Sequence, residues 1–203
     1  VLISCSDAAK VTGAIDDAAA KGVPVMTFDS DAPESRRFAF YGVDDIKTGE
    51  KVMAELAKLL DGKGNVAILA GNQNAPNLQR RAEGVRREAA KYPGIKIIGT
   101  FFHKETPQDA AREVINQNNA HPEINGWAMI GGWALFAPSL VNDLDPAKLK
   151  VVAVDALPEE LIFVEKGVAP VLLAQPTYKW GHESVRIITE KLIPVSYTHL
   201  TLP

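Results

Sequence analysis

Residues 65–102 read NVAILAGNQNAPNLQRRAEGVRREAAKYPGIKIIGTFF. The run Asn65–Ala70 is short, apolar and closed by Gly71, which fits a strand buried on both faces. Pro76 then opens Asn77–Tyr92, where Leu78, Ala82, Val85 and Ala89 recur at spacings of three and four and give one apolar helical face. Ile95–Phe102 returns to a β-branched and aromatic run. A strand, a helix and a second strand in this order form a βαβ unit, and such a unit joins parallel strands.

The same alternation extends in both directions. Strand-like runs occupy Val1–Cys5, Val23–Asp29 and Phe38–Val43 upstream, and Gly126–Ile130, Lys150–Asp155 and Ala169–Gln175 downstream. Helical patterns cover Ala8–Lys21, closed by Gly22, and Ile46–Leu60, stopped at Asp61-Gly62. Further helical patterns cover Pro107–Asn118, Leu135–Asn142, Glu159–Glu165 and Tyr178–Leu192. The fold class is therefore α/β, with parallel sheets flanked by helices.

At 203 residues, with 46% hydrophobic and 23% charged residues, the chain can bury a real core and is not a disordered polymer. A net charge of -3 supplies no attraction for nucleic acid or an anionic membrane face. No apolar run approaches the roughly 18 residues that span a bilayer. Cys5 is the single cysteine, so no internal disulfide forms. The chain opens mid-strand without Met, which reads as a fragment whose export signal, if it has one, lies upstream. Val195–Pro203 (VSYTHLTLP) reads either as a final strand or as non-native sequence resembling a translated adapter, and residues 194–203 are assigned no role.

In open α/β sheets ligands bind beyond the carboxyl ends of strands. Those positions here hold Asp29-Ser30-Asp31, Gly71-Asn72-Gln73-Asn74 ahead of a helix bearing Arg80 and Arg81, Gly131-Gly132-Trp133, Asp155 and Gln175. Carboxylates accept from paired hydroxyls, Arg donates to ring oxygens, Gln does both, and an indole covers an apolar C–H face, so this set suits a neutral polyhydroxylated ligand. Each residue also has a plainer role. Asp29 and Asp31 can cap or turn the chain before Pro33. Arg81 lies in a charged run (Arg80, Arg81, Glu83, Arg86, Arg87) that reads equally as a solvated face. Asp155 can cap the helix from Glu159, and Trp133 can be core.

No glycine-rich phosphate cradle is present, no Ser sits in a nucleophile elbow, and Cys5 has no sequence partner. His103, His121 and His182 lack metal-ligand spacing. The residues offer a gripping site without a reacting group, which implies no enzyme, no cofactor and no metal.

The blocks VPVMTFDSDAPESRRFAFYGVDD, GNQNAPNLQRRAEGV, NNAHPEINGWAMIGGWALF, VVAVDALPE and LLAQPTYKWGHESV resemble, in order and in register, periplasmic sugar-binding proteins of the ribose-binding type. These serve ABC importers and share their core with the effector domain of the lactose-repressor family. The resemblance runs from Val1 to Ile193 and implies two α/β lobes joined by a three-strand hinge, with a sugar held in the cleft between them. By it, residues 1–43 and 176–193 belong to an incomplete first lobe and residues 44–175 to the second. Asp29 matches the sugar-binding Asp of the first lobe, Arg81 the Arg of the second, Asp155 its hydroxyl-binding Asp, and Gln175 the hinge-side polar residue. Ser30 stands where ribose binders have a second Arg, Gly131 where they have Asn, with Trp133 nearby, and Glu105 where they have a stacking Phe; these departures favour a sugar other than ribose.

The resemblance also implies a monomer that delivers sugar to an ABC permease, in the periplasm or as an exported lipid-anchored protein, with weak or no binding by the fragment alone. A regulator's effector core is the alternative, which an upstream helix-turn-helix headpiece would mark. A sugar- or nucleotide-modifying α/β enzyme and a sensor-kinase or chemoreceptor input module are the further rivals.

Overall fold

A computed structural model of the chain describes residues 1–193, so the tail at 194–203 lies outside the described residues. In chain order the elements are β1 (Leu2–Ile3), α1 (Ala8–Ala20), β2 (Met26–Phe28), β3 (Ala39–Tyr41), α2 (Asp45–Leu59), β4 (Lys63–Ala70), α3 (Pro76–Ala89), β5 (Gly94–Phe102), α4 (Pro107–Ala120), β6 (Ile124–Met129), β7 (Lys150–Val154), α5 (Leu161–Glu165), β8 (Val171–Leu173) and α6 (Thr177–Leu192). The α/β expectation holds, with every strand pairing parallel. The chain divides into two compact units, one of Val1–Gly42 with the described residues from Pro176 onward, the other Val43–Gln175.

The first unit holds a three-stranded sheet in the order β1-β2-β3, with α1 and α6. Asp7 caps α1 by accepting from the Lys10 N–H, and Cys5, Ile15, Val25 and Ala32 form a small buried cluster. Burial pushes the Cys5 thiol above its ordinary value, which makes it a packing residue and not a nucleophile.

The second unit holds a five-stranded sheet in the order β5-β4-β6-β7-β8. Its strands alternate strictly. Val66, Ile68, Val152 and Val154 pack with Val52, Leu56, Leu78 and Val85 of α2 and α3. Ala67, Leu69, Val151 and Ala153 pack on the other face with Val114 of α4 and Phe163 of α5. Burial on both faces explains why these strands read as continuous apolar runs. Asp44 caps α2, Thr106 caps α4, and Pro76 and Pro107 open α3 and α4, where a missing N–H costs nothing.

The helix expected over Leu135–Asn142 is instead two short 3₁₀ segments, Trp133–Phe136 and Pro138–Asp143. Pro138 breaks it, because Pro disfavours the helical conformation of the residue before it and cannot donate an N–H. Asp155, Gln175 and Gly71 lie just past the ends of β7, β8 and β4. The chain passes from β4 to β5 on one side and then to β6 on the other, so the strand order reverses at β4/β6. That reversal opens a crevice beyond the carboxyl ends of those two strands. Among the described residues no helix is long and apolar enough to cross a membrane.

Candidate functional site

At the β4/β6 reversal the second unit gathers a connected set of polar side chains. Arg81 projects from the first turns of α3 and is buried. Its Nε donates to Asp45 Oδ1 at the start of α2 (2.9 Å), its Nη1 to the Ile130 carbonyl beyond β6 (3.1 Å), and its Nη2 to Gln175 Oε1 (2.7 Å). Gln175 passes the relay on by donating from Nε2 to Asp155 Oδ1 (2.5 Å), and Asp155 Oδ2 accepts from the Gly132 N–H (3.1 Å). One buried guanidinium thus ties together α2, α3 and the ends of β6, β7 and β8. A buried Arg is stable only when it is paired and hydrogen-bonded, and Asp45 meets the first need.

The β4 and β5 ends add a second carboxylate. Glu105 Oε1 accepts from the Asn72 N–H (3.1 Å) and lies over Gly71, where a Cβ would stand 2.4 Å from that oxygen. Glycine at 71 thus lets the Glu105 carboxylate lie against the strand end, and a larger residue there would displace that side chain. The Glu105 N–H donates to His103 Nδ1 (2.9 Å), which puts the ring proton on Nε2. His103 is buried with that Nε2 unpartnered, and burial lowers its pKa to about 4, so the ring is neutral. It meets the Trp133 ring edge-on at 5.2 Å between centroids.

Asp155 and Glu105 have no ion-pair partner among the described residues, whereas Arg81 is matched by Asp45. The rim of this unit therefore carries uncompensated negative charge, which disfavours anionic ligands and leaves acceptors for hydroxyl groups. Asp29, Glu105 and Asp155 share a left-handed backbone, with φ of 58°, 59° and 85°. That conformation is costly for a residue with a Cβ, and Asp61 adopts it too, with φ of 51° in the turn ahead of β4, so it does not by itself mark a site.

The other sequence-predicted residues fall differently. Trp133 is half-buried, packs against both cores of the second unit and presses on Gly131, where a Cβ would stand 2.0 Å from its ring. In the first unit, Asp29 is half-buried at the end of β2 and its Oδ2 accepts from the Ser4 hydroxyl (2.9 Å). Asp31 is held by local structure. Both its oxygens accept from Arg37, and Thr27 and the Ala32 N–H add to Oδ1. Ser30 is buried, and its hydroxyl donates to the Cys5 carbonyl (2.7 Å). An open cavity of about 550 Å³ lies between α2 and the edge strand β8. Of the relay it touches Gln175 alone, so the polar set and not the cavity marks the candidate site. Among the described residues no group of His, Cys, Asp and Glu side chains could hold a metal ion.

A sequence model for the periplasmic binding protein domain matches residues 1–193. The chain belongs to that family. A relative of this periplasmic binding protein domain is the xylitol-binding protein of Mycolicibacterium smegmatis, 25% identical over 159 residues, 75% of this chain and 44% of that one. The ribose import binding protein of Bacillus subtilis is 32% identical over 84 residues, 41% of this chain and 28% of that one. This periplasmic binding protein domain therefore spans less than half the length of the curated relatives it matches. Among solved structures, an ABC transporter solute-binding protein of Burkholderia graminis in complex with D-arabinose superposes with a TM-score of 0.88 at 28% identity, covering 94% of this chain and 68% of that one. These relatives are sugar-binding proteins and not enzymes.

Proposed function

We propose that this chain carries the ligand-gripping residues of a binding protein that captures a neutral sugar or sugar alcohol for an ABC importer. The observation that carries this is the relay Arg81–Gln175–Asp155–Gly132, which fixes acceptor and donor groups at the strand ends without any nucleophile beside them. Arg81 uses three of its five N–H groups internally, Asp155 and Glu105 offer oxygens to hydroxyls, and Gln175 can both donate and accept. Asp29 is a further proposed ligand acceptor, and Trp133 supplies apolar cover. Ser30 and Asp31, engaged inside the first unit, are not among the proposed contacts. The named ligands of the relatives, xylitol, ribose and D-arabinose, support the same chemical class.

The protein acts outside the cytoplasm in this reading, as a monomer that hands its sugar to a membrane permease. The test is a thermal-shift screen of the full-length protein that carries this chain, against neutral pentoses, hexoses and sugar alcohols, with sugar phosphates and sugar acids as the contrasting set. A neutral ligand that binds only the native state raises the melting temperature. A rise with neutral ligands and none with the anionic set supports the proposal. A rise with anionic compounds alone, or with nothing, overturns it.

A further inference from the structure

Glu160 lies directly beneath the relay and takes no part in it. It is fully buried, and its Oε2 accepts from the Leu157 N–H (2.6 Å) while its own N–H donates back to the Leu157 carbonyl. This reciprocal pair closes the Asp155–Glu160 loop into a fixed shape. Its Oε1 is buried without a partner and is pressed against Gly132, where a Cβ would stand 2.8 Å away. Gly132 in turn donates to Asp155. The Glu160 carboxyl therefore touches both pieces of backbone that set the position of Asp155: the loop that follows it and the turn that binds it.

The charged groups facing Glu160 are the carboxylates of Asp155 and Glu159 on its own loop. The 3₁₀ segment Trp133–Phe136 that packs against this loop carries no ionisable side chain, and Glu165, the ionisable residue of α5, is exposed. Among the described residues Glu160 has no ion-pair partner. A buried carboxylate with one donor, an orphaned oxygen and two like charges nearby is unfavourable, whereas the neutral acid removes the charge and leaves only a single O–H unpaired.

We propose that Glu160 is a positioning residue for Asp155, holding it in the ligand-binding geometry as the neutral acid and releasing it on ionisation. The inference rests on the proposed role of Asp155 in gripping a neutral sugar. Burial, with the Asp155 and Glu159 charges adding to it, raises the Glu160 pKa from 4.5 to about 7, so the change falls in an accessible range. If only the neutral form presents Asp155, the fraction competent to bind drops about tenfold between pH 6 and pH 8.

The experiment begins with the sugar that gives the largest thermal shift at pH 6 and measures its affinity by calorimetry from pH 5.5 to 8.5. Wild type is expected to lose about tenfold in affinity between pH 6 and 8, and Glu160→Gln, an uncharged mimic of the acid, to stay within about twofold. A second measurement needs no variant. Calorimetry in two buffers of different ionisation enthalpy should show net proton uptake on sugar binding near pH 7.5 and none near pH 5.5, because binding favours the neutral acid. An affinity that is flat with pH, a Glu160→Gln protein that keeps the wild-type fall, or binding without proton uptake each overturns the role of Glu160 and leaves sugar capture standing. Absence of any thermal shift at pH 6 overturns sugar capture, and the role of Glu160 falls with it.

Discussion

Arg81 and Asp155 sit in one relay, yet their removal should be felt in different ways. Truncating Asp155→Ala removes the acceptor for Gly132 and Gln175 at a half-exposed rim. Hydrogen bonds to charged groups contribute about 1.5–3 kcal/mol, so sugar affinity should fall roughly 10- to 100-fold by calorimetry, with a modest change in melting temperature. Affinity within twofold of wild type would remove Asp155 from the site. Arg81→Ala removes the buried ion-pair partner of the Asp45 carboxylate, so about 3–5 kcal/mol of stability is lost before any ligand contact is counted. Chemical denaturation should show that loss in sugar-free protein. Glu105 is the sharper probe of selectivity. Glu105→Gln keeps an oxygen for the Asn72 N–H but removes the charge, so discrimination against sugar acids should narrow in competition binding. Part of this was readable in the sequence. Arg81 lies three residues after Leu78 and four before Val85, on the apolar stripe of α3, while Arg80, Glu83, Arg86 and Arg87 face water. The stripe alone marks Arg81 as the buried member of that charged run. Glu105 shows in the sequence only through the resemblance, as a departure where ribose binders have a stacking Phe, and its bond to the Asn72 N–H and its left-handed backbone have no sequence signal. The inward roles of Ser30 and Asp31 depend on Cys5 and Arg37, and such partners cannot be read from spacing.

At the scale of elements, the relay depends on how closely α2 and α3 cross. A Cβ on Gly84 would stand 2.1 Å from the Ile46 carbonyl, and one on Gly49 would stand 1.9 Å from the Arg81 carbonyl. Both obstacles are helix backbone, so neither can yield cheaply. The crossing brings Asp45, the first residue of α2, against Arg81. Gly84→Ala must push the helices apart, and overpacking of this kind costs about 1–3 kcal/mol. The melting temperature should fall by roughly 3–10 °C, and sugar affinity should fall with it because Asp45 withdraws from Arg81. Unchanged melting and affinity would show that the two helices can separate without disturbing the relay. The helices and strands themselves were legible because apolar periodicity fixes which face is buried. The glycine crossing was not, since Gly49 and Gly84 read only as weak helix formers until their partners are known. Leu135–Asn142 misled for a related reason, as its apolar spacing is helical while Pro138 denies it the backbone to match.

Across the whole molecule, two buried titratable groups of the second unit pull its stability in opposite directions with pH. His103 has its pKa lowered by burial from 6.5 to about 4, so the unfolded chain binds more protons between those values and stability rises with pH across that window. Glu160 has its pKa raised from 4.5 to about 7, so the native state binds more protons there and stability falls as pH rises. Each displacement corresponds to roughly 3 kcal/mol, and the windows overlap from about pH 4.5 to 6.5. Over that overlap the two contributions offset each other, and wild type should show little dependence on pH from this pair. Replacing one member exposes the other. Glu160→Gln loses the falling contribution, so its melting temperature relative to wild type should climb by about 5–10 °C between pH 5 and pH 8, whatever its offset at pH 5. His103→Asn keeps an acceptor for the Glu105 N–H but loses the rising contribution, so its stability should decline with pH over the same overlap. Thermal unfolding of the three proteins at closely spaced pH values reads both slopes. Curves for the two variants that run parallel to wild type would show that neither group's pKa is displaced in the native state.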